Sequence, residues 1–122
     1  MGEVITFTSG KGGVGKTTTT ANVGAGLSLL DKKVVLVDTD IGLRNLDVVM
    51  GLENRILYNL VDVLSGRCRA KQAIIRDKRF PNLSVIPSSC TKEKILLDSD
   101  QMKHLLDDLR QEFDYILVDS PA

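Results

Sequence analysis

The sequence predicts an α/β fold in which helices flank a mostly parallel sheet. Three observations lead there. Val34-Val35-Leu36-Val37 and Tyr115-Ile116-Leu117-Val118 are apolar runs of strand length, each closed by an aspartate, the pattern of strands buried on both faces in parallel sheets. Between them, Met102, Leu105, Leu106 and Leu109 fall at i, i+3, i+4 and i+7, which is a single apolar helix face. At the start of the chain a β-rich run gives way to a glycine-rich stretch and then to a helical pattern. Strands alternating with helices close through right-handed crossovers and bind their ligands at the carboxyl ends of the strands.

Taken in order, Val4 to Thr8 reads as the first strand and leads into the glycines between Gly10 and Gly15. A helix is expected over Thr17 to Leu30, with Ala21, Val23, Leu27 and Leu30 apolar. Gly24 and Gly26 each weaken that helix by ~1 kcal/mol relative to alanine, so close packing is expected at both. Asp31-Lys32-Lys33 is a polar turn before the strand that ends in Asp38. Thr39 to Leu46 reads as a loop, Asp47 to Met50 as the start of a short helix before Gly51, and Ile56 to Leu64 as a helix stopped by Gly66. Ala70 to Ile75 reads as another short helix, and Leu83 to Ile86 as a strand held between Pro81 and Pro87. Ser99 is the expected N-cap of the last helix, and the final strand ends in Asp119.

Composition bounds the class. A chain of 122 residues, 43% hydrophobic, is that of a soluble globular domain with a core of its own. Sixteen basic residues balance sixteen acidic ones, so no global field advertises nucleic acid or an anionic membrane as partner. Cys68 and Cys90 have no metal-ligand spacing and read as reduced thiols of a cytoplasmic protein. Neither a signal-peptide pattern nor an apolar stretch of ~18 residues is present. No internal repeat or linker divides the chain, which is one domain or part of one. Its last residues, Asp119-Ser120-Pro121-Ala122, stop where a functional loop would begin after a strand, and the expectation is a truncated chain.

The chemistry sits in Ser9-Gly10-Lys11-Gly12-Gly13-Val14-Gly15-Lys16-Thr17-Thr18. Gly10 to Thr17 satisfies the P-loop pattern G-x-x-x-x-G-K-[ST] in the strand-then-helix context that pattern needs. Glycines let backbone N–H groups close around phosphate oxygens, and the following helix adds the positive end of its dipole. The expected ligands are therefore ATP and Mg²⁺, held by Gly10, Lys11, Gly12, Gly13, Val14, Gly15, Lys16, Thr17 and Thr18. Lys16 is expected on the β- and γ-phosphates and the Thr17 hydroxyl on Mg²⁺. Asp38 and Asp119 end apolar strands, where a carboxylate serves Mg²⁺ or its waters because a hard cation takes oxygen ligands; the alternative is a surface aspartate after a strand. Asp40, two residues beyond Asp38, is a candidate for orienting the attacking water, or an ordinary turn aspartate. Lys11 stands where a standard P-loop requires no cation, and its charge is either solvated or directed at a phosphate. The basic stretch from Arg67 to Arg79 has only Phe80 at its edge and reads as a solvated face. His104 reads as a surface or boundary residue.

With its extra lysine, Lys11-Gly12-Gly13-Val14-Gly15-Lys16-Thr17-Thr18 resembles the deviant Walker A ATPases of the ParA–MinD family. Asp38 to Asp47, Gly51 to Arg55, Asp77-Lys78-Arg79 and Asp119 to Ala122 resemble its septum-site-determining branch. The resemblance spans the whole chain but only the N-terminal half of a typical member, so residues 1–122 are expected to be the N-terminal part of one P-loop ATPase domain. It implies that Lys11 reaches across an ATP-sandwiched homodimer to the partner's nucleotide, that Asp40 positions the hydrolytic water, that Asp38 belongs to switch I and that Asp119 is the Walker B carboxylate. Members cycle between an ATP-bound membrane dimer and an ADP-bound monomer, recruiting a MinC-like inhibitor and in many bacteria answering to a MinE-like regulator. Their membrane attachment is peripheral, through a C-terminal amphipathic helix that this sequence lacks. In the family fold the P-loop strand is central, so it is expected here with an open edge and exposed apolar surface. Two other readings stay open: a ParA-type DNA-partition ATPase, and a nucleotide-binding fragment without catalysis.

Overall fold

The computed structural model describes residues 2–7, 14–39, 60–66, 68–87 and 99–119, and within these the side chains of 14–18, 61 and 99 are not described. Five strands, β1 (Glu3–Phe7), β2 (Val34–Asp38), β3 (Ile75–Arg76), β4 (Leu83–Ile86) and β5 (Tyr115–Asp119), form one sheet in the order β1-β5-β2-β4-β3. Neighbours β1 and β5, β5 and β2, and β2 and β4 run parallel, whereas β3 is antiparallel to β4. Four helices are described: α1 (Val14–Leu29), α2 (Leu60–Leu64), α3 (Ala70–Ala73) and α4 (Ser99–Glu112). The mostly parallel α/β architecture is the one the apolar runs predict.

The alternation of side chains along each strand divides the core into two layers. Val34, Leu36, Leu83, Val85 and Leu117 face one way and pack with Ala21 of α1. Val35, Val37, Ile86, Ile116 and Val118 face the other way, against Leu60 and Leu64 of α2, Ala73 of α3 and Leu105 and Leu109 of α4. Met102 and Leu106 complete the contact of α4, so the four-residue face read from the sequence is the face that packs. Burying an aliphatic side chain of this size contributes about 1.5–3 kcal/mol, and the central strand β2 is covered on both sides along its whole length.

Several boundaries differ from expectation, each for a local reason. Helix α1 begins at Val14, three residues earlier than expected, so Gly15 and Lys16 are helical. Ser99 is the first helical residue of α4 instead of standing before it as the cap. The helix expected to run to Ile75 stops at Ala73. Ile74 turns to an extended backbone (φ −72°, ψ 128°), and Ile75 and Arg76 pair with Val85 and Ser84; two β-branched residues beside a buried strand edge favour the ladder over another helical turn. Gly66 takes φ +81°, the left-handed conformation that ends α2 as expected. The helix expected over Asp47 to Met50 and the residues Ile56 to Tyr58 and Asn59 lie outside the described residues.

Strand β1 occupies one margin of the sheet and pairs only with β5 among the described residues. Val4 and Ile5 are 37% and 36% exposed, the open edge and apolar surface anticipated for the P-loop strand. Leu29 and Leu30 at the end of α1 are also exposed.

The two α1 glycines turn out to be unlike. A Cβ on Gly24 would lie 2.8 Å from Leu36 Cδ2 and 3.1 Å from Leu83 Cδ1, both buried leucines, whereas a Cβ on Gly26 would meet nothing within 4 Å. Gly24 is thus a point of close approach between α1 and the sheet, and the close packing expected at Gly26 is corrected. Equilibrium denaturation of the full-length protein should therefore give opposite signs. Gly24→Ala is expected to lose roughly 1 kcal/mol, overpacking outweighing the helix gain, while Gly26→Ala is expected to gain up to about 1 kcal/mol.

Candidate functional site

Parallel strands end together, so β1, β5, β2 and β4 share one carboxyl rim. At that rim Phe7 and Asp38 are both register partners of Asp119. Asp38 and Asp119 are each 0% exposed, which removes the reading of either as a surface aspartate. Alternation puts them on the same face as Leu36 and Leu117, the face that packs α1. Two carboxylates thus stand side by side at neighbouring strand ends, about 4.8 Å apart in strand spacing, under the helix that follows the glycine-rich segment.

Thr39, the first residue of the segment the sequence predicts as loop, fixes this geometry. Its hydroxyl donates a 2.8 Å hydrogen bond to the Asp119 carbonyl, and its backbone N–H donates to the same oxygen at 3.1 Å. Thr39 is itself buried. The signal available in the sequence was a β-branched hydroxyl directly after a strand aspartate, a residue type able to extend the ladder and satisfy a last carbonyl at once.

Helix α1 starts at Val14 after the segment 8–13 that follows β1. Val14, Gly15, Lys16 and Thr17 form its first turn, with Thr18 next, and no acidic residue stands in that turn. The free N–H groups and dipole of a helix start favour an anion, and the helix is long enough, at 16 residues, for that end to be stable. Gly10, Lys11, Gly12, Gly13 and Asp40 lie outside the described residues, as do Gly42 to Asp47 and Cys90.

The donor set suits a hard divalent cation. Carboxylate oxygens are its preferred protein ligands, and Asp38 and Asp119 present two buried carboxylates on one face. Among the described residues no cluster of three or more metal-binding side chains occurs, so a cation between Asp38 and Asp119 would complete its shell with phosphate oxygens and water, the usual habit of Mg²⁺.

Other singled-out residues have structural places. Asp77 is buried and its Oδ1 accepts from the backbone N–H groups of Arg79 (2.7 Å) and Phe80 (3.3 Å), tying the turn between β3 and β4. Arg79 lies over the Phe80 ring, 5.5 Å from its centroid. Arg69, Lys71, Arg76, Lys78 and Arg79 are exposed, as expected of a solvated face, and His104 is exposed on α4. Burial, and secondarily the Asp62 carboxylate, pushes the Cys68 thiol above its ordinary pKa, which lowers its thiolate fraction and its reactivity.

Residues 2–122 match the AAA domain family model AAA_31. The chain belongs to this ParA/MinD-like AAA-domain family. It is 59% identical over its whole length to the septum site-determining protein MinD of Bacillus subtilis, covering 46% of that protein. Among solved structures it resembles MinD in the MinC:MinD cell division complex of Aquifex aeolicus (49% identity, TM-score 0.86, 98% of this chain and 48% of that one). It resembles equally well the septum site-determining protein MinD of Pyrococcus horikoshii complexed with Mg-ADP (35% identity, TM-score 0.87, 100% of this chain and 50% of that one). The chain spans about half the length of the curated relatives it matches. Among the described residues no helix is long and apolar enough to cross a membrane.

The strand-end lock gives a direct prediction. In the full-length protein Thr39→Val should lower stability by about 1 kcal/mol, the value of one buried hydrogen bond, and should weaken Mg-nucleotide affinity in calorimetric titration. Thr39→Ser, which keeps the hydroxyl, should retain most of both.

Proposed function

We propose that the full-length protein carrying this chain is a Mg²⁺-dependent ATPase of division-site placement that alternates between an ADP-bound monomer and an ATP-bound homodimer. The observation that carries this reading is the pair of buried carboxylates, Asp38 and Asp119, at adjacent strand ends on the face of α1. The similarity to MinD proteins along the whole chain supports the same reading.

In this account the backbone from Gly10 to Thr18 encircles the phosphates, and the first turn of α1 adds its N–H groups and dipole. Lys16 holds the β- and γ-phosphates as a point charge. Thr17, Asp38 and Asp119 are the residues that would hold Mg²⁺, directly or through its waters, and the ion when bound neutralises charge developing on the phosphates. Asp40, two residues past the Asp38 strand end, orients the attacking water and takes up its proton as the bond to phosphorus forms. Lys11 extends to the nucleotide of a second copy, where its charge stabilises the transferring phosphoryl group. Because each copy supplies the other's lysine, hydrolysis and dimerisation are coupled.

A protein of this kind carries its signal through whatever the dimer alone can bind. The MinC:MinD complex among its structural neighbours favours a MinC-like inhibitor as the partner of the ATP state. A MinE-like regulator and a peripheral membrane attachment beyond residue 122 follow from the family resemblance and belong to the same proposal.

Two substitutions separate holding a phosphate from reaching one. Lys16→Ala in the full-length protein should abolish ATP binding, with calorimetric heat falling to the buffer level. Lys11→Ala should leave ATP bound within about threefold of the parent affinity, a change under 1 kcal/mol, yet give only monomer on size-exclusion chromatography with ATP. An ATP-dependent dimer that survives Lys11→Ala would contradict the cross-dimer role.

A further inference from the structure

Strands β2 and β5 stay in register to their last pair, Asp38 beside Asp119, and Thr39 is the next residue along the chain. Its backbone N–H donates to the Asp119 carbonyl at 3.1 Å, an ordinary bond of a parallel ladder. That bond alone would end the sheet. The Thr39 hydroxyl then donates to the same oxygen at 2.8 Å, so a carbonyl already served by the backbone receives a second bond. Satisfying the carbonyl does not require it, because one partner is enough for a buried acceptor. Packing does not require it either. The rest of β2 before its aspartate is Val34-Val35-Leu36-Val37, and a valine at position 39 would keep the shape of threonine while removing a hydroxyl that burial penalises.

What the second bond adds is restraint. Two donors on one residue, one from the main chain and one from the side chain, grip a single oxygen from two directions. The end of β2 can then neither slide along β5 nor turn about its own backbone. Thr39 is buried, and Asp38 and Asp119 beside it are fully buried, so water does not compete for the grip. Asp40 is the next residue in the sequence, and consecutive Cα atoms lie ~3.8 Å apart. The backbone that carries Asp40 therefore departs from this fixed point.

Resting on the ATPase reading above, in which Asp40 orients the attacking water, we propose that Thr39 is a positioning residue for the hydrolytic step. Its hydroxyl ties the backbone leading to Asp40 to the strand end that carries Asp119, so the carboxylate acting on water and the carboxylate serving the cation share one rigid reference. A group that takes a proton must stand within hydrogen-bond reach of its water, and a misplacement of ~1 Å costs about a hundredfold in rate. Thr39 itself touches neither water nor phosphate in this scheme. It acts through Asp40.

The test is a double-substitution cycle in the full-length protein, read as the single-turnover rate of ATP hydrolysis at saturating Mg-ATP. Saturation removes the loss of affinity expected for Thr39→Val, so the rate reports the chemical step. Thr39→Val keeps the backbone bond, loosening the anchor without removing it, and is expected to slow hydrolysis about tenfold. Thr39→Ser should stay within about twofold of the parent, and Asp40→Ala should fall by ~100-fold or more. The combined Thr39→Val, Asp40→Ala protein should match Asp40→Ala within about twofold, because the anchor then has nothing left to aim. Thr39→Ala carries the same expectations and replaces Thr39→Val in the cycle if the valine protein shows no Mg-ADP-dependent rise in unfolding temperature. A hydroxyl-free variant that folds and hydrolyses within twofold of the parent overturns the proposal. So does an equal proportional loss in the Asp40→Ala background, which would make the bond a purely structural one. Failure of the underlying reading looks different: Asp40→Ala hydrolysing at the parent rate, or a parent that binds Mg-ATP without turnover, overturns that reading and the proposal with it.

Discussion

The parallel pairing of β2 with β5 is the constraint on which the rest depends. It puts Asp38 and Asp119 in register at one rim, both fully buried, and two neighbouring carboxylates in such a position are tolerated only where positive charge is arranged to meet them. The start of α1, whose positive dipole end favours an anion, follows the segment after β1, and a cation bound with phosphate would add positive charge at the same rim. Thr39 then holds the two strand ends together through one carbonyl. What is rigid here is the backbone that aims the carboxylates, and the chemistry is brought by what they attract.

That constraint also orders the packing. Because β2 and β5 are central, their alternate residues must satisfy two different helical layers, Leu36 and Leu117 toward α1 and Val35 and Ile116 toward α2 to α4. Helix α1 packs on the sheet through Ala21 and comes closest at Gly24, where Leu36 and Leu83 lie against it. The margins are less committed. Strand β1 offers an outer edge with Val4 and Ile5 exposed, while β3 closes the opposite side with a two-residue antiparallel ladder.

Much of this was legible in the residues because strong local signals and global packing agreed. The two apolar runs ending in aspartate gave β2, β5 and the carboxylate rim; the i, i+3, i+4, i+7 pattern gave the buried face of α4; the helix expected after the G-x-x-x-x-G-K-T glycines is α1, which starts at Val14 where Thr17 was expected. Less was legible where the deciding partner lies far along the chain. Ile75 and Arg76 are strand residues only because Val85 and Ser84 stand beside them, and a six-residue window containing alanines read as helix. Gly24 and Gly26 look identical in sequence, yet one faces Leu36 and the other faces space. Thr39 showed no role until Asp119, eighty residues later, was seen to accept its hydrogen bond. For Gly10 to Gly13, Lys11 and Asp40 the assignment rests on motif and family resemblance, since they fall outside the described residues.

The central claim is that one cation, bound with nucleotide, sits between the ends of β2 and β5. Exchanging Mg²⁺ for Mn²⁺ in the ADP-bound full-length protein and recording paramagnetic broadening of backbone amides measures this directly. The account predicts that broadening is strongest at Asp38, Thr39, Asp119 and the first turn of α1, and that it disappears when nucleotide is removed. Broadening centred elsewhere, or unaffected amides at Asp38 and Asp119 with Mn²⁺-ADP bound, would contradict it.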